Sequence, residues 1–216
     1  MDRISLLCSY LDKCKTFADV ACDHGYCAEY MLKNGLCESA VISDISEKCL
    51  AKAQALLSNY IKDGRCAAVC CDGLQHIAQS TQQVLIAGIG GEEIVRILKN
   101  SFIPRSFVFQ PMKNAEVLRE YLLSNGCSLS VDDMFTDGKN YYFIIKGKRA
   151  DGNNNYTRAQ LLYGRDSLNS QTFKEYLRKE ICKKQNYLQR EMSPESANAL
   201  KTELAFMQGV LNGEIN

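Results

Sequence analysis

Short apolar runs alternate with helical patterns along the first two thirds of this chain. FADVAC (17–22), SAVISD (39–44), CAAVCC (66–71), QVLIAGI (83–89) and SFVFQ (106–110) lack polar alternation, so each predicts a strand buried on both faces. Helical patterns fill the gaps. One covers about 25–34 and stops at Asn34-Gly35; another starts at Ser46 as N-cap, with Leu50, Ala53, Leu57 and Tyr60 on one face. Two more fall near 91–100 and 114–125, the second ending at Asn125-Gly126. Strict alternation of strand and helix predicts βαβ units and a parallel, doubly wound sheet. SLSVDDMFT and KNYYFIIKG then flank Asp137-Gly138, a hairpin signal, so an antiparallel pair closes the five parallel strands.

The pattern changes after the hairpin. Residues 147–155 (GKRADGNNN) are polar and rich in glycine and asparagine, and read as a linker. Beyond them the chain reads as wholly helical. Phe173, Leu177, Ile181 and Leu188 form one apolar stripe, and Leu200, Leu204, Met207 and Leu211 another at heptad-like spacing. Ser193-Pro194 separates them as N-cap and first helical residue. The expected organisation is an α/β domain over 1–150 and an α-helical coiled-coil hairpin over 156–216.

Composition narrows the class. With 216 residues, 46% of them hydrophobic, the chain can build one ordinary core plus an appendage. No stretch approaches the roughly 18 apolar residues of a membrane span, so no membrane partner is expected. Eleven cysteines are an odd count, and the N-terminus MDRISLLCSYLDKCK has no long apolar run. Reduced thiols and a cytoplasmic location follow as expectations. The net charge of +1 says nothing about partners, so any basic patch must be local.

Candidate chemistry gathers where the strands end, the place at which open α/β sheets bind ligands. Asp23-His24-Gly25-Tyr26 follows the first strand, and Asp44 follows the second, nineteen residues past Gly25. A carboxylate at that distance suits the two hydroxyls of a ribose. Asp72-Gly73 follows the third strand, with Asp72 a candidate acceptor for an adenine amino group. Gly88-Ile89-Gly90-Gly91 follows the fourth, where missing side chains let a ligand approach the backbone. A nicotinamide dinucleotide needs G-x-G-x-x-G at the first turn, and Asp23 would repel its pyrophosphate. An acidic turn suits a cationic cofactor without phosphate, S-adenosylmethionine. Cys22, His24 and Cys27 are a competing zinc reading that lacks a fourth ligand, so no metal is expected.

FADVACDHGYCAEYML, CCDGL, VLIAGIGGEEIVRIL, FQPMKNAEVLREYLLSNG and DGKNYYFIIKGKR together closely resemble the bacterial tRNA (adenine-N1)-methyltransferases that modify adenine 22. The resemblance runs over nearly the whole chain, from Arg3 to the last helices. It implies a Rossmann-like methyltransferase sheet followed by a helical coiled coil. It also implies S-adenosylmethionine contacts at Asp23, His24, Tyr26, Asp44, Ile45, Asp72, Gly73, Gly88, Ile89 and Gly90, with Arg3 reaching the methionine carboxylate. Met112 stands where some members carry asparagine. Asp23, His24 and Tyr26 are the expected catalytic set, with Gln110 and Pro111 as further base contacts.

Competing readings stand beside these. His24 serves equally well as a helix N-terminal residue, Tyr26 as packing, and the glycines as strand–helix spacers. Residues 158–190 hold eight cations against three carboxylates. That run is either a solvated helix face or a phosphate-binding surface for tRNA, with Arg178, Lys179, Lys183 and Lys184 the candidate RNA contacts. At the level of function, the alternatives are a non-catalytic S-adenosylmethionine-binding module, or a methyltransferase of another RNA or a small molecule. A monomer is expected.

Overall fold

The computed structural model describes residues 2–150 and 155–215. In chain order it contains α1 (Arg3–Ser9), β1 (Thr16–Val20), α2 (Tyr26–Lys33), β2 (Ser39–Asp44), α3 (Glu47–Leu56), α4 (Ser58–Lys62), β3 (Cys66–Cys70), β4 (Gln83–Ile89) and α5 (Gly91–Lys99). There follow β5 (Ser106–Pro111), α6 (Ala115–Ser124), β6 (Cys127–Asp137), β7 (Asn140–Arg149), α7 (Arg158–Tyr163), α8 (Gln171–Leu188) and α9 (Pro194–Asn212).

The seven strands form one sheet in the order β3-β2-β1-β4-β5-β7-β6. The first five run parallel; β7 pairs antiparallel with β5 and with β6. The order reverses between β1 and β4, which opens a crevice at their carboxyl ends. Continuous apolar strands need cover on both faces, and they have it. Phe17, Ile42, Leu85 and Val108 meet α1, α2 and α3 on one face, while Val84, Ile86, Phe107 and Phe109 meet α5 and α6 on the other. Among the described residues no helix is long and apolar enough to cross a membrane.

Four expectations change. Helix α1 was not anticipated; Asp2 caps it by accepting from the Ser5 N–H at 3.0 Å. Ile4, Leu7 and Cys8 carry its apolar spacing and, with Leu11 just beyond its end, join the core on that face of the sheet. The single helix expected after Ser46 bends at the buried Leu57, giving α3 and α4. The linker starts later than expected. Gly147–Arg149 are the end of β7, because Gly147 lets that strand pass close to Ser128 O and the Phe107 ring, 2.5 and 2.8 Å from where a Cβ would stand. The rest of that linker, at 151–154, lies outside the described residues. Finally, residues 164–170 interrupt the helical tail, with Gly164 at φ 90° ending α7 after a Thr157–Gln160 capping box.

The tail is a helical hairpin rooted on the sheet. α8 and α9 lie against each other through Phe173, Leu177, Ile181, Leu204 and Met207, and Met134 of β6 completes the same core. Ser193 and Pro194 start α9 as the sequence predicts.

Candidate cofactor cavity and adjoining cleft

The turn after β1 is wound in an unusual way. Ala21 at φ 57° and Asp23 at φ 46° are left-handed without being glycine, and Gly25 follows at φ 73°. Such residues cost about 1–2 kcal/mol each and persist where surroundings hold them. Asp44 is what holds this turn: its Oδ2 accepts from the Asp23 N–H at 3.2 Å and its Oδ1 from the Ser46 N–H at 2.8 Å. The winding turns the Asp23, His24 and Tyr26 side chains to one rim. His24 and Tyr26 stack with centroids 5.3 Å apart and planes within 1°. Asp23 accepts from Lys52 Nζ at 3.0 Å and meets His24 Nδ1 at 2.8 Å. The Lys52 ammonium holds the Asp23 carboxyl below the usual carboxylate range.

These residues border a cavity of about 610 Å³ at the crevice between β1, β2 and β4. Its volume falls in the roughly 300–1,000 Å³ range of small-molecule sites. Arg3, Asp23, His24, Tyr26, Asp44 and Ile45 line it, as do Gly88 and Ile89. Ile45, Tyr26 and Met112 are exposed apolar side chains at its rim, a sign of a binding mouth. Among the described residues Arg3 is the only lysine or arginine in the lining, whereas Asp19, Asp23 and Asp44 bring three carboxyl groups.

Asp19 sits at the buried floor. Burial pushes its carboxyl up to about 7, the Ala28 N–H at 3.2 Å partly offsets this, and Asp44 adds repulsion. With an acid raised in the folded chain, the fold is most stable at low pH, where both states are protonated. That contribution is lost as pH rises from about 4 to about 7. Thermal melts of the ligand-free protein should therefore fall across that window, and Asp19→Asn should flatten the descent. Melting temperatures of the wild type and Asp19→Asn that run parallel from pH 4 to 7 would refute the assignment.

The remaining predicted site residues lie apart from this lining. Asp72 is gripped by Arg96, with Nη1 at 2.9 Å from Oδ2 and Nη2 at 2.7 Å from Oδ1, and Glu93 shares the same guanidinium. Gly73, at φ 61°, leaves room for Ile97, whose Cγ2 is 2.6 Å from where a Cβ would sit. Gly90 faces the flexible end of Lys113, with Cε 3.2 Å from the Cβ position. Gly91 is tighter, with Asn114 O only 2.1 Å from such a Cβ. Gln110 is fully buried and bonds Arg3, whereas Pro111 borders a second space. Among the described residues no three His, Cys, Asp or Glu side chains converge as a metal site; Cys27 Sγ instead lies 3.8 Å from Cys8 Sγ.

That second space is a cleft of about 810 Å³ between the end of β5, the aromatic face of β7 and the helical hairpin. Lys113, Arg158, Lys184, Tyr141 and Phe206 are among its walls, and Met112 belongs to both spaces. The sequence offered no sign of it, because its walls come from β5, β7, α7, α8 and α9. The basic run on α8 is partly neutralised. Lys183 pairs with Glu180 at 2.5 Å, Lys184 with Glu203 at 2.9 Å, and Lys179 lies over the Tyr141 ring at 4.7 Å. Arg178 is exposed.

A doubly wound sheet with an acidic, phosphate-averse cavity at its switch point defines a class of group-transfer enzymes that bind cationic nucleoside cofactors. The chain belongs to the methyltransferase-domain family, whose model matches residues 1–145. A Mycoplasma pneumoniae protein provisionally named a tRNA methyltransferase is 29% identical over 167 residues, covering 75% of this chain and 78% of that protein. Among solved structures, Mycoplasma capricolum TrmK bound to S-adenosylhomocysteine superposes with a TM-score of 0.89, at 18% identity over 99% of this chain and 98% of that one. The Bacillus subtilis M1A22 tRNA methyltransferase TrmK gives 0.84, at 20% identity over 99% and 97%. The shared fold thus extends through the helical hairpin.

Proposed function

We propose that this protein transfers a methyl group from S-adenosylmethionine to N1 of adenine 22 in tRNA. The observation that carries the reading is one cavity, lined by Arg3 and by the carboxylates of Asp23 and Asp44, meeting at Met112 a cleft whose walls hold the Tyr141, Tyr163, Tyr176 and Phe206 rings and a mixed set of charges, Lys113, Arg158 and Lys184 with Glu116, Glu180 and Glu203. The cofactor fits the donor set: its one anionic group, the carboxylate, matches Arg3, and its positive charges match the carboxylates of Asp23 and Asp44. Asp44 uses one lone pair on each oxygen for the turn and keeps others for ribose hydroxyls. The structural relatives that carry the same helical arm act on tRNA, which supports that substrate over a small molecule.

When bound, S-adenosylmethionine supplies an electrophilic sulfonium methyl group. The chain's task is then to hold adenine N1, unprotonated at neutral pH, in line with it. Positioning of that kind is worth roughly 7–11 kcal/mol of the barrier. The stacked His24–Tyr26 pair offers a flat face to the base at the cavity mouth. Asp23, kept ionised by Lys52, is the acceptor we assign to the acidified N6 amine. Ala87-Gly88-Ile89 presents no acidic side chain to the cavity, so that stretch would supply backbone groups only. A single chain supplies both cavity and cleft, which supports action as a monomer, and a tRNA substrate supports a cytoplasmic location.

Labelled methyl transfer into unmodified tRNA, followed by mapping of the modified nucleotide, tests the reading. Label at a nucleotide other than adenine 22 would sink the site assignment, and cofactor binding without transfer would favour the non-catalytic module. Asp44→Ala should weaken S-adenosylmethionine by about 1.5–3 kcal/mol, the worth of hydrogen bonds to a charged group. Unchanged affinity by calorimetry would remove Asp44 from the site.

The arm makes a separate prediction. Reversing Arg178, Lys179, Lys183 and Lys184 should leave cofactor binding intact and lower tRNA affinity. Each lost phosphate contact makes the slope of log affinity against log salt shallower by about one. Because Lys183 and Lys184 already pair with glutamates, the expected change is about two rather than four. A wild-type slope would return the run to a solvated helix face.

A further inference from the structure

Gln110 lies at the end of β5 with no exposure to solvent, and its amide is directed at residues around the cofactor cavity. Its Oε1 accepts from Arg3 Nη1 at 3.1 Å, across 107 residues of chain. Its Nε2 donates to Pro111 O at 3.2 Å and lies 3.5 Å from Met112 Sδ, the atom that Arg3 Nη1 reaches at 3.6 Å. Arg3 is held from two further sides. Its backbone N–H donates to Asp137 Oδ2 at 3.1 Å, and its guanidinium lies over the Tyr142 ring at 5.7 Å. A guanidinium has five donors; Gln110 and Met112 engage the two on Nη1, which leaves Nη2 and Nε for a ligand in the cavity.

The choice of an amide has a physical consequence. A carboxylate at this place would bond Arg3 as well, but would cancel its charge inside a site that already holds the carboxylates of Asp23 and Asp44. A neutral acceptor orients the guanidinium and leaves its charge available. We propose that Gln110 is a positioning residue: it holds Arg3 ready for the carboxylate of the cofactor, and it does not touch the adenine. This inference rests on the S-adenosylmethionine reading of the cavity.

The test compares two ligands that differ at the carboxylate. S-adenosylhomocysteine carries the amino-acid chain; 5′-methylthioadenosine keeps the nucleoside and sulfur but lacks that chain. Gln110→Met removes the acceptor, while Gln110→Glu keeps the hydrogen bond and cancels the charge. By calorimetry, each variant should bind S-adenosylhomocysteine about tenfold more weakly and 5′-methylthioadenosine within about twofold of wild type. In an Arg3→Met background, Gln110→Met should add no further loss for either ligand. Should Gln110→Met fail to fold, the near-isosteric Gln110→Glu carries the test alone. Equal losses for both ligands would reduce Gln110 to a structural role and overturn the proposal. Unchanged S-adenosylhomocysteine affinity with a raised KM for tRNA would overturn it in favour of base contact. A wild-type protein that binds neither ligand would instead sink the cofactor reading, and the positioning role with it.

Discussion

Arg119→Met is expected to lower the unfolding free energy by about 3–5 kcal/mol, the usual cost of stranding one member of a buried ion pair. Arg119 of α6 and Asp132 of β6 are both fully buried, with Nε 2.7 Å from Oδ1. Arg119 Nη1 also donates to the Leu161 and Leu162 carbonyls at 2.9 and 3.3 Å, near the end of α7 where a cation suits the helix dipole. Asp132 Oδ2 accepts from the Arg165 N–H at 3.2 Å, and the Asp132 N–H donates to Asp166 Oδ2 at 2.8 Å. The guanidinium lies 4.7 Å over the Phe143 ring, which compensates in part for an Nη2 that has no hydrogen-bond partner among the described residues. Burial still pushes the Asp132 carboxyl up, and the Arg119 charge is the largest influence opposing it. Urea denaturation measures the loss. The double replacement Arg119→Met with Asp132→Leu should recover most of it, because no charge is left behind. A single-variant loss below about 1 kcal/mol would mean that the pair is not what fastens the arm to the sheet.

Gly91→Ala is the second large effect. Its Cβ would stand 2.1 Å from Asn114 O and 2.9 Å from Asn114 C, both backbone, so no side-chain rotation relieves the clash. The turn after β4 would have to part from the turn after β5, breaking the Gly91 N–H bond to Lys113 O at 2.8 Å. Overpacking of this kind costs about 1–3 kcal/mol, occasionally more. Ile89 and Met112, on the same two turns, line the cofactor cavity, so displacement there should also slow methyl transfer by about a hundredfold. Gly90→Ala is the control. It meets only the flexible Lys113 side chain, and its φ of −72° suits any residue, so stability should stay within about 0.5 kcal/mol. Equal behaviour of the two alanine variants would show that the turns move independently.

The parallel strands, the antiparallel hairpin and the caps at Ser46 and Ser193 were readable because each is written locally, in apolar runs, turn residues and N-cap side chains. The carboxylates after β1 and β2 were readable for a related reason: in a doubly wound sheet, the position of a residue just past a strand already places it at the ligand edge. Where the carboxylates point was not local. Asp44 and Asp72 look alike as acids after successive strands, yet Asp44 lines the cavity while Arg96, twenty-four residues on, holds Asp72 away. Gln110 and Arg3 meet across 107 residues, and Gly91 is constrained by a carbonyl at 114. The Gly147 signal misled for the same reason, since a close approach to Ser128 and Phe107 looks in sequence like a flexible stretch. The basic run on α8 carried its charges in plain view, but the glutamate opposite Lys184 belongs to α9 and became its partner only when the hairpin closed. Periodicity and turn chemistry depend on neighbours a few residues away, whereas partners, clashes and cavity walls depend on which distant segments the packed core brings into contact.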